Sequence, residues 1–339
     1  MRKLHSIYNL FKLVGDALIA RTRNKLVSLQ FGSHREEFRL TGYVEEFVVE
    51  SSSDQVICVK DPIIADYAHR HVFNDRAICR LRGATFDSGS GNVYLGKLLV
   101  RESHSDTSNL PIRKSSVLRR ISDHPVIGVP YQTHYHWLIE TLPRIIAAAK
   151  FESKAILVAP TRMSQNQRKA IEILGHEVRY SDARHSCDNL ILATRGQDSG
   201  WAHPLDLDTL RRTYSVPAAS GSLRLFVSRV GGRRSDVMSQ TIHDFALKSG
   251  WTVIRAEELT WEETLKLFGE ASIIAGEHGA GLANLALSPL ATQLIELQRS
   301  NYVNPCFAAL SQALNRNSSN YSSFPLDQYK KALALSSTH

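Results

Sequence analysis

The sequence predicts an α/β protein with two Rossmann-like domains facing a cleft, preceded by a β-rich segment. Three observations lead there. From residue 125 onward, short apolar runs alternate with capped amphipathic stretches, the pattern of parallel strands covered by helices. A Pro-Ala-Ala-Ser-Gly-Ser stretch at 217–222 reads as a linker and splits that alternation into two series. The run Ala275-Gly276-Glu277-His278-Gly279-Ala280-Gly281-Leu282-Ala283-Asn284 joins two strand-like stretches through a glycine-rich turn that opens a helix. Glycines let the backbone approach closely, and N–H groups of a first helical turn can face an anion. Tight packing of a helix on a sheet asks for the same glycines, so the turn alone leaves both readings open.

The elements follow in order. Residues 1–26 read as a basic amphipathic helix, with Leu4, Ile7, Tyr8, Phe11, Val14 and Leu18 on one face. Such a helix can lie on an anionic membrane surface or dock on the body of the protein. Residues 27–216 form the N-terminal domain. Its β-rich part, 36–103, holds short runs at Tyr43 to Val49, Gln55 to Val59, Ala77 to Leu81 and Val93 to Val100. Residues 104–123 are polar and basic and read as a connector.

The Rossmann-like part, 125–216, starts with a strand at Pro125 to Val129. A helix over Tyr135 to Lys150 carries Pro143 as a kink or break. A strand at Ala155 to Val158 and a helix capped by Ser164 come next, then strands at Glu177 to Tyr180 and Asn189 to Ala193. Pro204 starts a helix reaching about Tyr214. The C-terminal domain, 223–315, repeats the pattern. It has a strand at Leu223 to Ser228, a helix at Asp236 to Lys248, a strand at Trp251 to Arg255, and a Thr260/Glu263 capping box. The strand before the glycine turn and another at Gln293 to Leu297 complete it. Residues 316–339 are a polar tail with a helix at Tyr329 to Leu335.

With 339 residues the chain can bury two ordinary cores. No stretch of eighteen apolar residues reads as a membrane span. Lys12 and Asp16 interrupt the apolar residues near the N-terminus, which argues against a secretory signal. The four cysteines, Cys58, Cys79, Cys187 and Cys306, lack zinc-site spacing and fit a reducing cytosol. The formal charge of +8 implies anionic partners. Nucleic acid is excluded from them, because the basic residues are dispersed and not interleaved with aromatics.

Three clusters can carry chemistry. Tyr131 to Arg144 follows a strand and contains His134, His136, Trp137, Glu140 and Arg144. His136 and Glu140 are four apart, so they share a helix face and can supply a general base. Local packing of His136 and a Glu140–Arg144 salt bridge would use the same residues. In Val227 to Ser235, a buried strand delivers Arg229 to its carboxyl end, and Arg233 and Arg234 precede a helix. Guanidinium groups there suit a diphosphate, and a solvated basic loop is the plainer reading. The glycine turn is the third. Asp206-Leu207-Asp208 after His203-Pro204 has the spacing of a metal-binding pair, but acids at a helix start favour the dipole anyway. His134 and His136 lack a third ligand at a recognisable spacing. No metal site is expected.

In this order the clusters resemble glycosyltransferase family 61. The matching residues are His136-Trp137 through Leu142-Pro143-Arg144, then Phe226-Val227-Ser228-Arg229, then His278-Gly279-Ala280-Gly281-Leu282-Ala283-Asn284, and Leu294-Ile295-Glu296. The resemblance covers about residues 75–300. It implies a GT-B-like fold, in which a last helix such as Tyr329 to Leu335 can cross back to the first domain, an inverting mechanism and a nucleotide-sugar donor, usually a UDP-sugar. Bacterial members are associated with capsule or surface polysaccharide synthesis. Two positions depart from the family: Glu140 stands where Asp is usual, and Glu277 where Pro is usual.

The resemblance places the acceptor, a glycan or lipid-linked glycan, on the N-terminal domain, with Glu140 or His136 as base. His134, Trp137, Arg144, His203 and Glu277 would border the acceptor or the cleft. Arg229, Arg233 and Arg234 would neutralise the donor diphosphate. Gly279, Ala280, Gly281 and Asn284 would shape the turn that faces it. His278 would bind a phosphate or the donor sugar. Glu296 would accept from the ribose, or serve as a structural pair. No cofactor or metal is required. The expected location is the cytoplasm, peripheral to the inner face of the plasma membrane through residues 1–26. Two alternatives stand beside this: a non-catalytic nucleotide- or glycan-binding relative, and a GT-B-like pyruvyl transferase. The oligomeric state is open.

Overall fold

A computed structural model of the chain describes residues 25–27, 44–50, 56–60, 68–73, 75–96, 98–100, 117–197, 199–219, 221–232, 235–298, 304–314, 318–322 and 326–335. The helix expected over 1–26 lies outside them, except for Lys25 and Leu26, which are in a strand. Arg233, Arg234 and residues 104–116 of the connector also lie outside. The protein forms two compact units. One comprises Met1–Asp54, Phe73–Gln132 and Glu140–Ser199, and the other Gln55–Val72, Thr133–Ile139 and Gly200–His339.

The strands along the chain are β1 (Lys25–Val27), β2 (Val44–Glu50), β3 (Val56–Lys60), β4 (Ala68–Val72), β5 (Arg76–Asp87), β6 (Asn92–Leu95), β7 (Leu98–Val100), β8 (Leu118–Ile121), β9 (Val126–Gly128), β10 (Ile156–Ala159), β11 (Val178–Tyr180) and β12 (Arg184–Ala193). A second series runs through β13 (Leu223–Val227), β14 (Thr252–Ile254), β15 (Ala271–Glu277), β16 (Gln293–Gln298) and β17 (Ser318–Ser322).

The first unit holds a ten-stranded mixed sheet of order β1-β7-β6-β5-β12-β9-β10-β11, with β2 also on β5 and β8 also on β12. Within 125–216 the strands β12, β9, β10 and β11 run parallel, as the alternation predicts, and the sheet is mixed only because the β-rich segment joins it. The junction is β12, which pairs antiparallel with the long β5 from Arg184↔Asp87 to Ala193↔Ile78. It pairs parallel with β8 and β9. The β-rich segment and the alternating segment therefore share one sheet and one core, built on Leu81, Phe86, Val93, Ile121, Val158 and Leu190. Burial pushes the thiol of Cys187, within this core, up to about 12, so it is inert.

Two local features place later side chains. A wide π turn, Trp137–Thr141, precedes the helix Leu142–Phe151, whose first turn contains Pro143. Proline is tolerated there because the first N–H groups of a helix have no intrahelical partner. The helix expected over Tyr135 to Lys150 is thus interrupted just before Pro143. The helix Gln165–Glu172 starts with a full capping box between Ser164 and Gln167.

The second unit contains a five-stranded parallel sheet of order β14-β13-β15-β16-β17. In chain order this is 2-1-3-4-5, a doubly wound arrangement whose switch point lies between β13 and β15. The continuous apolar runs of β13 and β15 fit strands covered on both faces. Capping boxes at Asp236/Ser239 and Thr260/Glu263 start the helices Val237–Lys248 and Trp261–Gly269. Phe226, Ile242, Trp251, Ile273 and Leu297 join the core, together with Tyr329 and Leu333 of the helix Leu326–Leu335. That last helix therefore belongs to the second unit, which corrects its expected return to the first. The tail also supplies the edge strand β17, unread in the sequence because Ser-Ser-Asn-Tyr-Ser lacks apolar alternation.

Gly276 pairs with Val227 across β15 and β13. A Cβ there would sit 2.7 Å from the Val227 carbonyl oxygen and 3.1 Å from Leu282. Gly276→Ala is expected to destabilise the protein by about 1–3 kcal/mol through overpacking. Urea denaturation checks this, and an unchanged midpoint would contradict it.

Candidate functional site at the parallel-sheet switch point

Ligands of doubly wound sheets bind beyond the carboxyl ends of the strands, at the switch point. Here that place is formed by the residues after β13 and β15. Ser228 follows β13 and is buried. Its Oγ lies 2.8 Å from His243 Nδ1 and accepts from the Val230 N–H at 3.2 Å. The chain then turns through Gly231, whose φ of +81° lies in the left-handed region. Arg229 is held between these features. Its guanidinium donates to the His278 carbonyl, across the switch point. The same side chain lies along Gly279, where a Cβ would sit 3.4 Å from Arg229 Nε.

The glycine turn after β15 differs from the expected α-helix. Ala280–Leu287 is a 3₁₀ run with Gly279 at its N-cap, so an α-helical macrodipole is not the source of any anion affinity here. Gly281 is required by crowding: a Cβ there would come within 2.9 Å of both Val227 and Ala256. Ala280 is the exposed tip. Glu277 is buried, and its Oε1 accepts from Ser239 Oγ at 3.2 Å. Asp236 caps the same helix by accepting from the Ser239 N–H at 2.8 Å. Two carboxylates thus occupy the N-terminus of the helix Val237–Lys248. An arriving phosphate would meet like charge there, and the Arg229–Gly279 side is the favourable one.

His278 is buried, with Nδ1 2.6 Å from Glu296 Oε1. Its ring meets Phe307 edge to face, with centroids 5.1 Å apart. Glu296 has no exposed surface, which removes it from a ribose contact and makes it the buried partner of His278. With the proton on Nδ1 facing the carboxylate, Nε2 is the acceptor atom of the ring.

Asn284 lies in the 3₁₀ run, and its Oδ1 accepts from His134 Nε2–H at 2.9 Å. Arg211 donates to the carbonyls of Ala286 and Ser288 and so caps the far end of that run. His203 is fully buried, and its Nδ1 accepts from the Leu205 N–H at 3.2 Å, which makes it the N-cap of the helix Pro204–Thr213. Trp137 is 1% exposed. Neither His203 nor Trp137 therefore offers a surface to a ligand, which corrects their expected place at a cleft. Asp206 is buried in the first turn of the same helix, while Asp208 pairs with Arg212 at 2.9 Å. Among the described residues no three His, Cys, Asp or Glu gather in a metal-holding group.

The base candidates are divided between the units. His136 is half-buried in the second, with its ring 5.3 Å from that of Tyr135. Glu140 belongs to the first and is buried, its Oε2 3.8 Å from Arg195 Nη1. Arg144 donates instead to the Glu140 carbonyl at 2.6 Å. It also lines a small pocket of the first unit with Thr141, Pro130, Gly91 and Phe86.

Reading the sequence missed Ser228, His243, Arg195 and Phe307. Ser228 had a signal, its place between a buried strand and Arg229. The other three come from distant segments, and nothing local marks them.

The Glycosyltransferase 61 family model matches residues 134–295. No curated protein matches the chain. Among solved structures, the metal-soaked Flv1 flavodiiron core from Synechocystis sp. PCC6803 is 12% identical, with a TM-score of 0.25. That match covers 77% of this chain, and the chain spans 62% of the Flv1 structure. A likeness that loose carries no argument.

Burial holds the pKa of His134 below the ordinary histidine value, against the opposing hydrogen bond from Asn284. The unfolded chain takes up that proton near pH 6.5, the folded one only at lower pH. Between those values the unfolded state binds more protons, so stability falls as pH drops below about 6.5. His134→Gln keeps a polar partner for Asn284 without titrating. Its stability loss between pH 7 and 5 is expected to be smaller than that of the wild type in denaturant titrations. Parallel losses would show that His134 does not titrate this way.

Proposed function

From the match of residues 134–295 to the Glycosyltransferase 61 family model we propose an inverting transfer of a sugar from a nucleotide donor to a glycan hydroxyl. That match supports glycosyltransferase activity itself. The finer reading is a UDP-sugar donor, a glycan or lipid-linked glycan acceptor, the GT-B arrangement that the motifs imply, and a role in surface polysaccharide synthesis. One observation carries it: Arg229 after β13 and the Gly279–Ala280 turn after β15 meet at the switch point of a parallel sheet.

In this reading the acceptor hydroxyl gives its proton to a base as its oxygen attacks the anomeric carbon. The bond from that carbon to the diphosphate oxygen breaks, and the nucleoside diphosphate leaves with the electron pair. Arg229 stabilises the charge that develops on it. Arg233 and Arg234, from the same loop, are proposed to add to that field. His278, oriented by Glu296, hydrogen-bonds the donor. His136 is the better base of the two candidates, because it is partly accessible while the Glu140 carboxylate is buried beside Arg195. The reaction is proposed to need no metal. Contact of residues 1–26 with an anionic inner membrane surface belongs to the same proposal. Among the described residues no helix is long and apolar enough to cross a membrane.

Calorimetry with UDP, GDP, CMP, dTDP and phosphoenolpyruvate, with and without EDTA, tests the donor site. One nucleotide is expected to bind regardless of EDTA, and Arg229→Ala to weaken it by about 10–100-fold, the worth of a lost charge-assisted contact. Binding of phosphoenolpyruvate alone would move the reading to pyruvyl transfer. In transfer assays His136→Ala is expected to lose at least about 100-fold in kcat. Near-normal turnover in both His136→Ala and Glu140→Gln would sink the base assignment.

A further inference from the structure

Four loops of the first unit converge on one surface that the proposed transfer does not use. They are the turn 88–91, residues 130–131 after β9, residues 161–162 after β10, and residues 181–183 between β11 and β12 with Arg184 at the start of β12. Short contacts tie them together. Ser88 Oγ donates to the Ala183 carbonyl at 2.7 Å, and the Thr161 N–H donates to Asp182 Oδ1 at 3.0 Å. Gly91 packs so closely on Pro130 that a Cβ would overlap it.

These loops and their flanks carry three arginines, each laid on a tyrosine. Arg162 lies 4.2 Å from the ring centre of Tyr131, Arg168 4.1 Å from that of Tyr180, and Arg184 5.4 Å from that of Tyr94. A guanidinium stacked on a ring keeps its N–H groups around the edge of its plane, in the fork that matches a carboxylate or phosphate. Arg162 is exposed, and a single donor of its five is directed to the Gly89 carbonyl, at 2.6 Å. Arg168 is anchored on the Met163 and Thr161 carbonyls. Arg184 has a buried Nε without a hydrogen-bond partner among the described residues. The facing acids are Asp182, held by Thr161, Asp87, whose Oδ1 accepts from the Gly89 N–H at 3.0 Å and the Ser90 N–H at 3.4 Å, and Glu172, paired with Lys169 at 3.5 Å. Three arginines and Lys169 against these three acids leave the cluster net positive. Pro130 and Gly91 also line the small pocket shared with Thr141 and Arg144, so the cationic surface lies beside a concavity.

We propose that this surface binds an anionic sugar, with the Arg162 fork on its oxyanion and the neighbouring Pro130–Tyr131 loop against its C–H face. The oxyanion is a uronate carboxylate or a glycosyl phosphate. Calling that sugar part of the acceptor glycan rests on the glycosyltransferase reading, whereas the binding itself does not.

The test is calorimetry on the full chain with a glucuronate-terminated tetrasaccharide, its neutral methyl ester, and glucose 1-phosphate. The acid is expected to bind about tenfold tighter than the ester, and Arg162→Ala to abolish that preference. Arg162→Lys, which keeps charge without the fork, should retain part of it. The tighter of the acid and the sugar phosphate identifies the source of the oxyanion. Equal binding of acid and ester with no binding of the phosphate overturns the proposal, as does an undiminished preference in Arg162→Ala or no binding of any probe. Because the acid–ester comparison is made on the wild type, it stands even where a variant fails to fold. If the acid preference holds while no nucleotide binds, the glycosyltransferase reading fails and this site stands. If nucleotide binding and transfer hold without the preference, only this site falls.

Discussion

The close approach of β13 and β15 governs the second unit. Val227 and Gly276 lie side by side, with no room for a Cβ on the latter. The same crowding recurs where Gly281 passes over Val227 and Ala256. Because these backbones come so near, the turn after β15 folds back as a short 3₁₀ run, and His278 and Gly279 are brought against Arg229. Loosening that contact would leave Arg229 on a mobile loop with its charge in water, where it is worth little. The steric demand on two small residues is thus what builds the electrostatic feature.

Around that contact, charge is distributed by burial. The carboxylates of Glu277 and Asp236 take the N-terminus of the helix after β13, the place where many doubly wound proteins receive a phosphate. Glu296 is occupied inside by His278. What stays accessible is positive or neutral: Arg229, Gly279 and Ala280. The buried carboxylate of Glu277 has a local partner, because Ser239 at the start of the helix after β13 supplies a hydroxyl donor.

The first unit solves a different problem. Its sheet passes from antiparallel to parallel pairing at β12, which joins β5 on one side and β8 with β9 on the other. The β-rich and the alternating segments can then share one core. Its loops are free to hold stacked Arg–Tyr pairs, which need rigid support more than they need burial.

The amino-acid sequence by itself determined the second series of strands and helices, the cap at Ser164 and the capping box at Thr260, the break at Pro143, and the place of Arg229 and the glycine turn at the carboxyl ends of strands. Those features depend on residues near each other in the chain, so periodicity and spacing report them. Tertiary structure alone decided that β5 and β12 pair antiparallel, that the helix Leu326–Leu335 joins the second unit, and that Glu296, His203 and Trp137 are interior. It also chose Arg195 over Arg144 for the Glu140 carboxylate and paired Ser228 with His243. Each is a contact between segments far apart in sequence, and its energy comes from burial and geometry that appear only once the chain is packed. A glutamate at a strand end reads the same in sequence whether it faces a ribose or a histidine; the depth at which the fold places it makes the difference.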